Sequence, residues 1–400
     1  MKKKIWTILL VCLSFLLGTL SLTTACAKDE NTAKNDNSKH LNNYSSRSAY
    51  LVDYDTGTVL FERNADAKYP IASMVKIMTL NIVFDEIDSG RLCLDEKITI
   101  SERSAGMGGS QMFLESGLEY SVSDLIKGVT VVSANDACVA LAERISGSVE
   151  GFVELMNERA VDYKMLDTRF VNVTGLPEDN QYSTAKDVSK MMKNLLKHQK
   201  YYDFSKIYLE NFTHPDGRTT ELTNTNKLIR FYQGCDGGKT GFTSDAMFCL
   251  SATAKRNDTR FIATVLGAES SKERNKEISD LFNYAFANYK TMKILEKGKP
   301  INSTMTIKGA KTNVFSLTVT EDVSMLTKKG ASANYEIKIA VDDNLKAPLK
   351  QGEKVGVVRV FDTKNNSLIK ETPLVTTEEI RSKSYLDALT EILENWFLSA

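Results

Sequence analysis

Two residues one helical turn apart, Ser73 and Lys76, could together attack a carbonyl group. A serine hydroxyl is a weak nucleophile until a neighbouring base removes its proton. Lysine can be that base when burial or nearby positive charge lowers the pKa of its amine enough to leave it neutral. Apolar residues at helical spacing predict a helix that opens at Pro70, and the i, i+3 spacing places both side chains on one face. The pattern therefore predicts a serine nucleophile with a lysine general base.

A second motif, Ser133-Ala134-Asn135, offers groups for proton transfer and substrate binding. It lies between two apolar segments of helical periodicity, which predicts a loop between helices. Ser133 could pass a proton between Lys76 and a leaving amine, and the amide of Asn135 could bind the substrate backbone. The alternative is purely structural, because either side chain could cap the helix that follows.

A third motif, Lys239-Thr240-Gly241, precedes a predicted strand. Lys239 and Thr240 could bind a carboxylate, and glycine at this edge would let an extended substrate lie against the strand. The backbone N–H groups of Ser73 and Phe242 are candidate oxyanion-hole donors. Each motif alone has an ordinary structural explanation. Lys-Thr-Gly occurs once, however, and only one set of the three motifs runs in this order along the chain.

The chain of 400 residues is long enough for two domains. Its 51 basic and 51 acidic residues give zero net charge, and no local basic patch indicates a nucleic-acid partner. With three histidines and no Cys-x-x-Cys spacing, we expect no zinc site and no other metal or cofactor. Cys235 and Cys249 flank the third motif, so either a disulfide or, as we favour, buried free thiols would fit.

The order of predicted elements indicates an α+β fold. Strand patterns lie at both ends of residues 45–292, and helical patterns fill the middle. This order predicts one antiparallel sheet with its terminal strands adjacent and a helical cluster packed on it. The helical segments run over residues 122–132, 136–145, 149–163, 185–196 and 272–289. Short alternating runs over residues 296–380 predict a small all-β domain.

The first 44 residues are predicted to be a targeting segment and a tether. Residues 1–27 have a basic start, an apolar run and a small-x-small cleavage pattern, which predicts a signal peptide. An uncleaved anchor and lipid attachment at Cys26 are the alternatives. Residues 28–44 are polar and charged, which predicts a flexible linker. The protein is therefore expected to work outside the cytoplasmic membrane.

The last segment, residues 381–400, is predicted to be an amphipathic helix. Its apolar face would carry Tyr385, Leu386, Leu389, Ile392, Leu393, Trp396 and Phe397. Such a face could lie in a membrane interface or pack against the protein itself. The opposite face is acidic, which an anionic membrane would repel, so both hypotheses stay open.

Longer blocks around the three motifs resemble those of low-molecular-mass serine D-alanyl-D-alanine carboxypeptidases, a penicillin-binding protein family. Besides the motifs themselves, the similar blocks are Ile71 to Thr79, Phe170 to Leu176, Tyr182 to Asp187, Asn224 to Leu228 and Gly238 to Thr243. The resemblance covers roughly residues 45–290. It implies the serine β-lactamase/transpeptidase-like arrangement of sheet and helices, with the β domain and last helix as stalk and anchor.

The resemblance also implies a reaction. Ser73 would attack the bond between two terminal D-alanines of a peptidoglycan stem peptide, and water would hydrolyse the acyl-enzyme. β-Lactam antibiotics such as penicillin would acylate the same serine. Arg274 could add a charge that binds the substrate carboxylate. Met247 stands where the family usually has glycine, and it could narrow the substrate groove.

Three other functions are alternatives to this interpretation. A serine β-lactamase would need a glutamate segment for rapid deacylation, and none is convincing after Ser133. A β-lactam or wall-peptide sensor would be acylated without turnover, although the complete set of motifs favours an enzyme. A Ser-His-Asp hydrolase is disfavoured, because His198 and His214 have unremarkable sequence contexts.

Overall fold

The structure is a computed structural model that describes residues 39–304, 307–311 and 314–398. The predicted signal peptide and most of the predicted linker lie outside the described residues. The strands, in chain order, are β1 (Ser48–Asp53), β2 (Val59–Arg63), β3 (Lys97–Thr99), β4 (Glu119–Ser121), β5 (Leu209–Thr213), β6 (Thr219–Thr223), β7 (Cys235–Thr243), β8 (Met247–Arg256), β9 (Thr259–Ala268), β10 (Tyr289–Leu295), β11 (Ile301–Thr304), β12 (Val314–Val319), β13 (Val323–Lys328), β14 (Tyr335–Val341), β15 (Lys354–Asp362) and β16 (Ser367–Thr376). The helices are α1 (Lys76–Asp88), α2 (Glu102–Ala105), α3 (Val122–Lys127), α4 (Asn135–Ser146), α5 (Val149–Asp162), α6 (Ala185–Leu195), α7 (Tyr201–Ser205), α8 (Leu228–Phe231), α9 (Ser271–Asn288) and α10 (Tyr385–Leu398).

The first domain is built on an antiparallel sheet of five strands in the order β2-β1-β9-β8-β7. β1, near the start of the described chain, pairs with β9, near the end of the domain, in a register that joins Ser48 to Leu266. This arrangement confirms the predicted α+β fold with adjacent terminal strands. β7, which carries the Lys-Thr-Gly motif, is the edge strand of the sheet.

Both faces of the central sheet are buried, as the alternation along β1 shows. Ala49 and Leu51 point into a core shared with α9, whereas Tyr50 and Val52 point into a larger core shared with α1 and α6. Successive side chains of a strand point to opposite faces, so one strand contributes to both cores. The sheet is thereby fixed between α9 and the helical cluster.

The second domain begins earlier than the sequence indicates. β10 starts at Tyr289 and pairs with β13, so it belongs to the β domain and not to the last helix of the first domain. The polar run 296–300 is the turn that leads to β11 and not the boundary. A five-stranded sheet in the order β11-β12-β16-β15-β14 completes this domain, with its own core around Leu317, Val358 and Leu374.

The folded part of the chain also begins before residue 45. Leu41 is fully buried, and its carbonyl accepts a hydrogen bond of 2.8 Å from the Arg63 guanidinium. The Tyr44 hydroxyl donates to Asp280 on α9. The predicted linker, residues 28–44, therefore extends too far towards the C-terminus, because Leu41 is an apolar residue within a polar run and is buried in the core.

The cysteines of the described chain are free thiols. Cys138, Cys235 and Cys249 are buried, whereas Cys93 is exposed. In the β7–β8 pairing, Cys235 lies opposite Ala254 and Cys249 lies opposite Gly241. The two cysteines therefore do not face each other, and the favoured hypothesis of buried free thiols is confirmed.

The C-terminal helix α10 has 14 residues, a length of about 21 Å. Its described apolar side chains are exposed rather than packed against the β domain: Tyr385, Leu386, Leu389, Ile392, Leu393, Trp396 and Phe397. A salt bridge of 3.0 Å joins Asp387 on this helix to Lys311. Within the described part of the chain, no helix is both long and apolar enough to cross a membrane.

Candidate active site

Ser73 lies in a tight turn that two other segments contact. The turn, Ala72–Val75, is a 3-10 helix that runs directly into α1. Ala72 has a φ of +47°, in the left-handed region that side-chain-bearing residues rarely adopt. A Cβ atom added to Gly175 would lie 2.0 Å from the Ala72 carbonyl oxygen, and one added to Gly241 would lie 2.6 Å from that of Ile71. Two glycines therefore let neighbouring backbone hold the turn from both sides.

Lys76, at the start of α1, is fully buried beside the nucleophile. Its Nζ lies 3.1 Å from Ser73 Oγ and donates a hydrogen bond of 2.6 Å to the Thr174 carbonyl. In a 3-10 turn the side chains at i and i+3 are eclipsed, which brings these two residues together. Burial lowers the pKa of Lys76 to about 8, so the neutral amine is accessible near physiological pH.

Ser133 has a strained backbone conformation, and its hydroxyl makes no hydrogen bond within the described residues. It follows the π-helical turn Gly128–Val132 and has a φ of +65°. Its Oγ is buried without a hydrogen-bond partner among the described residues, yet the residue lines the same cleft as Ser73. A buried hydroxyl normally finds a partner, so this one is available to a ligand.

Asn135 begins α4 and contacts the loop between α2 and β4. Its Nδ2 donates 2.6 Å to the Gly108 carbonyl, and its backbone N–H donates 2.7 Å to the Ser110 carbonyl. Its Oδ1 is buried and without a partner in the described chain. α4 has no side-chain cap at its N-terminus, so the structural alternative of helix capping by Ser133 or Asn135 is not observed.

Lys239 and Thr240 lie on β7, across the cleft from Ser133. Lys239 is buried, and its Nζ donates 3.1 Å to the Thr240 carbonyl. Burial, and then the positive charge of Lys76, hold the pKa of Lys239 well below its usual range. The Thr240 hydroxyl donates 2.8 Å to Thr225 Oγ1.

Arg274 reaches the same cleft from the first turn of α9. Ser270 caps this helix through a hydrogen bond from the Glu273 N–H, which fixes where the helix begins. The buried guanidinium of Arg274 contacts the Cys249 carbonyl at 3.4 Å and Asn275 Oδ1 at 2.9 Å. Burial lowers the pKa of Arg274 to about 10.

Ser73, Ser133, Thr240, Gly241 and Arg274 share a cleft of about 380 Å³. Its lining residues are Ser73, Ser110, Ser133, Thr225, Lys227, Thr240, Gly241, Phe242, Phe248, Ser271, Arg274 and Asn275. Each of the three motifs thus contributes to the lining beside Arg274, whereas Lys76, Asn135 and Lys239 are buried and do not line the cleft. The backbone of Gly241 approaches that of Ser73, because a Cβ on this glycine would lie 3.3 Å from the Ser73 nitrogen.

The site has three buried basic side chains and no acidic side chain among the described residues that pairs with them. Lys76, Lys239 and Arg274 make no salt bridge to a carboxylate anywhere in the described ranges. The charge of Asp136 influences Lys76, but its carboxylate accepts hydrogen bonds from the backbone of Met112 and Leu114. Buried cations without a counter-ion favour an anionic ligand.

Met247 does not narrow the groove as the sequence suggests. It is the first residue of β8, directly after the turn that follows β7, with a φ of +55°, and it is not among the residues that line the cleft. That conformation favours glycine, which explains why glycine suits this position. The wall is formed instead by Phe242 and Phe248, whose ring centroids are 4.4 Å apart.

Sequence reasoning missed several groups that the fold adds to the site. Ser110, Thr225 and Lys227 line the cleft, and the Thr174 carbonyl contacts the proposed base. Thr225, Lys227 and Thr174 lie within blocks that carry the family resemblance. The sequence did not predict their contribution to the site, because the position of a backbone carbonyl or of a loop depends on tertiary contacts.

The histidines have structural partners away from Ser73. His198 Nδ1 lies 2.6 Å from Asp88 Oδ2, and His214 Nδ1 lies 3.0 Å from the Tyr120 hydroxyl. Neither lines the cleft, so a Ser-His-Asp arrangement is not formed. No cluster of three or more His, Cys, Asp or Glu residues that could hold a metal ion occurs in residues 39–304, 307–311 and 314–398.

Comparisons with known proteins agree with this geometry. Residues 32–270 match the family described as D-alanyl-D-alanine carboxypeptidase, and residues 289–382 match the C-terminal domain of penicillin-binding protein 5. The D-alanyl-D-alanine carboxypeptidase DacF of Bacillus subtilis is 37% identical over 354 residues, which are 88% of this chain and 90% of that protein. The crystal structure of penicillin-binding protein 5 from Haemophilus influenzae matches with a TM-score of 0.70 and 32% identity, covering 85% of this chain and 98% of that chain.

Proposed function

This chain belongs to the D-alanyl-D-alanine carboxypeptidase family of serine peptidases, and we propose that Ser73 is the nucleophile of its reaction. The enzyme is a penicillin-binding protein that removes the terminal D-alanine from peptides ending in D-alanyl-D-alanine. Peptidoglycan stem peptides carry such ends and are its substrates. The relatives cover both domains of the chain and do not favour the alternatives of a β-lactamase or a sensor.

Acylation begins with a proton transfer from Ser73 to Lys76. The neutral amine of Lys76 takes the hydroxyl proton as Oγ attacks the carbonyl carbon between the two D-alanines. Negative charge then develops on the carbonyl oxygen, and the backbone N–H groups of Ser73 and Phe242 are the proposed donors that stabilise it. The distance of 3.1 Å between Nζ and Oγ supports this first step.

Collapse of the tetrahedral intermediate needs a proton on the leaving amine. Ser133 is the proposed shuttle: it donates its proton to the nitrogen of the departing D-alanine and regains one from the Lys76 ammonium. The C–N bond breaks and the acyl group stays on Ser73 Oγ. Water then attacks this ester, which releases the shortened peptide and restores the hydroxyl. The unpartnered Oγ of Ser133 supports the assignment.

The buried cations are the observation that supports an exopeptidase most directly. A terminal carboxylate at Thr240 and Arg274, which line the cleft, would lie beside basic groups that no carboxylate of the described chain pairs with, and Lys239 is buried next to Thr240. The bound carboxylate would also place the last peptide bond beside Ser73. Asn135 would bind the peptide backbone through the amide oxygen that lacks a partner. β-Lactam antibiotics carry a similar carboxylate beside a reactive amide, so they would acylate the same serine.

The test compares two peptides that differ only at the C-terminus. One ends in Lys-D-Ala-D-Ala with a free carboxylate, and the other has the same sequence with a terminal amide. We expect D-alanine release from the first and at least a hundredfold lower kcat/KM for cleavage of the second, because charge-assisted contacts would be lost. Equal cleavage of both peptides would contradict the proposed carboxylate site.

We also propose that α10 lies in the outer surface of the cytoplasmic membrane. Its exposed apolar side chains suit an interfacial helix, and Trp396 and Phe397 suit the headgroup region. An amino-terminal signal peptide would deliver the chain there. Co-sedimentation with phosphatidylcholine vesicles should decrease when Leu389 and Ile392 are both changed to Gln. Unchanged sedimentation would contradict the proposal.

A further inference from the structure

The backbone of residues 171–176, which follow α5, contacts Lys76, the proposed base. Lys76 Nζ donates to the Thr174 carbonyl at 2.6 Å, and the preceding Val173 carbonyl accepts from the Cys138 thiol at 3.0 Å. A neutral amine that donates one N–H to Thr174 can direct its lone pair towards Ser73 Oγ, 3.1 Å away. The position of the Thr174 carbonyl therefore influences the orientation of the Lys76 amine relative to Ser73 Oγ.

The side chain of Asn172 fixes that carbonyl. Its Oδ1 accepts hydrogen bonds from the Gly175 N–H at 2.7 Å, the Thr174 N–H at 3.2 Å and Gln181 Nε2 at 3.2 Å. Its Nδ2 donates 3.0 Å to the Leu176 carbonyl. One amide thus bonds to both peptide N–H groups that flank the Thr174 carbonyl, which restrains the orientation of that peptide.

Gln181 supports the same loop from its other end. Its Oε1 accepts from the Val171 N–H at 3.0 Å and the Asn172 N–H at 2.9 Å, while its Nε2 donates to Asn172 Oδ1. The residue is 9% exposed, so these bonds compete little with water. Asn172 and Gln181 together form a connected network that holds residues 171–176.

Packing holds only part of this loop, because Val173 is buried in the core whereas Leu176 is exposed. An open cavity of about 330 Å³ is bordered by Gly175, Leu176, Gln181 and Thr243, and by Ala72 of the turn that carries Ser73. The inner side of Gly175 presses on the turn that carries Ser73, where a Cβ would lie 2.7 Å from the Ser73 nitrogen. Where the loop borders this cavity, hydrogen bonds add to the packing, and the two amides supply them.

We propose that Asn172 and Gln181 are positioning residues for acylation: they fix the Thr174 carbonyl, which holds the Lys76 amine in line with Ser73. The inference rests on the proposed function, because it assigns to Lys76 the role of base. Loss of the network would leave the base mobile and open its surroundings to water. Misplacement of a catalytic group by about 1 Å can lower a rate about a hundredfold.

The pH dependence of acylation provides a readout that a purely structural role would not change. After burial, which lowers the pKa of Lys76, Cys138 and Asp136 on α4 raise it; Lys76 and Arg274 of α9 in turn lower the pKa of Lys239 on β7. Asn172→Ala changes none of these charges. It removes the bonds that hold the Thr174 carbonyl over the amine, so water would reach Lys76 and its pKa would rise from about 8 towards the ordinary lysine value.

The experiment measures acylation of the full chain by a fluorescent penicillin from pH 6 to 10.5. At each pH, the acylation rate constant at saturating penicillin and the penicillin binding constant are determined separately. For Asn172→Ala we expect a ten- to hundredfold lower rate constant, a little-changed binding constant and a midpoint that moves to higher pH. Asn172→Asp keeps the oxygen that accepts from Thr174 and Gly175, so it should recover most of the rate lost in Asn172→Ala.

Asn157→Ala is the matched control. Asn157 is an amide of the same size that bonds to the N–H and carbonyl of Phe170, in the same segment but away from Thr174. It should lower the unfolding temperature and leave the acylation profile unchanged. An equal effect of both alanine variants on the profile would overturn the proposal, as would an Asn172→Ala profile identical to that of the parent protein. Absence of acylation in the parent protein would instead contradict the proposed function.

Discussion

At the scale of single residues, the site combines features that oppose stability. Lys76, Lys239 and Arg274 are buried without carboxylate partners in the described chain, and Ser133 has both a left-handed backbone and an unpaired hydroxyl. Buried unpaired charge and strain each cost free energy, and both concentrate at functional sites. The site is therefore arranged for a ligand that supplies the missing negative charge.

The pH dependence of acylation follows from the pKa of Lys76. Since only the neutral amine accepts the serine proton, the acylation rate should rise as pH increases through about 8 and level off above it. A penicillin acylation series from pH 6 to 10 measures this directly. A rate that falls over the same range would contradict the role of Lys76 as the base.

Replacement of Lys76 should separate stability from activity. The folded-state pKa lies below the unfolded value of 10.5, so the charged lysine costs stability below pH 8, and the cost disappears as pH rises from 8 to 10.5. Lys76→Met should therefore raise the free energy of unfolding at pH 7 by about 1–3 kcal/mol while abolishing acylation. Urea unfolding at pH 7 and pH 10 would check this, and a loss of stability at pH 7 would contradict it.

At the scale of elements, the nucleophile depends on the contact between the 3-10 turn and two glycines. Gly175 has a φ of +82°, and any Cβ there would overlap the Ala72 carbonyl. Gly175→Ala should displace the turn and lower acylation at least a hundredfold. Gly147→Ala is the control, because Gly147 has a φ of +73° and no atom within 4 Å of an added Cβ. If both variants acylate equally, the contact does not position Ser73.

Elements with strong periodicity could be predicted from the sequence, but their junctions could not. The predicted helix 185–196 is observed as Ala185–Leu195. The predicted helix 122–132, in contrast, becomes a short α-helix followed by a π-helical turn, which aims Ser133 at the cleft. Motif order predicted the proposed site residues, because their side chains would carry the chemistry. The Thr174 carbonyl and the turn at Met247 depend on tertiary contacts, which no local pattern encodes.

At the scale of the whole molecule, the two domains have separate hydrophobic cores. Phe282 on α9 packs beneath the central sheet, whereas Leu317 lies in the core of the β domain. Leu317→Ala should lower the stability of the β domain by about 2–5 kcal/mol and leave penicillin acylation unchanged. Phe282→Ala should lower the temperature at which acylation is lost, because α9 carries Arg274. Calorimetry of each variant, together with penicillin acylation measured at increasing temperature, would test both expectations. Loss of acylation in Leu317→Ala at 25 °C would contradict the claim that the two cores are independent.

We propose that one serine, Ser73, carries out both the peptidase reaction and the reaction with the antibiotic. The most direct measurement is the mass of the penicillin-treated protein and its peptides, made beside D-alanine release from Lys-D-Ala-D-Ala. We predict a single adduct on the peptide that contains Ser73, with both the adduct and D-alanine release absent in Ser73→Ala. An adduct on another peptide, or D-alanine release that survives in Ser73→Ala, would contradict the account.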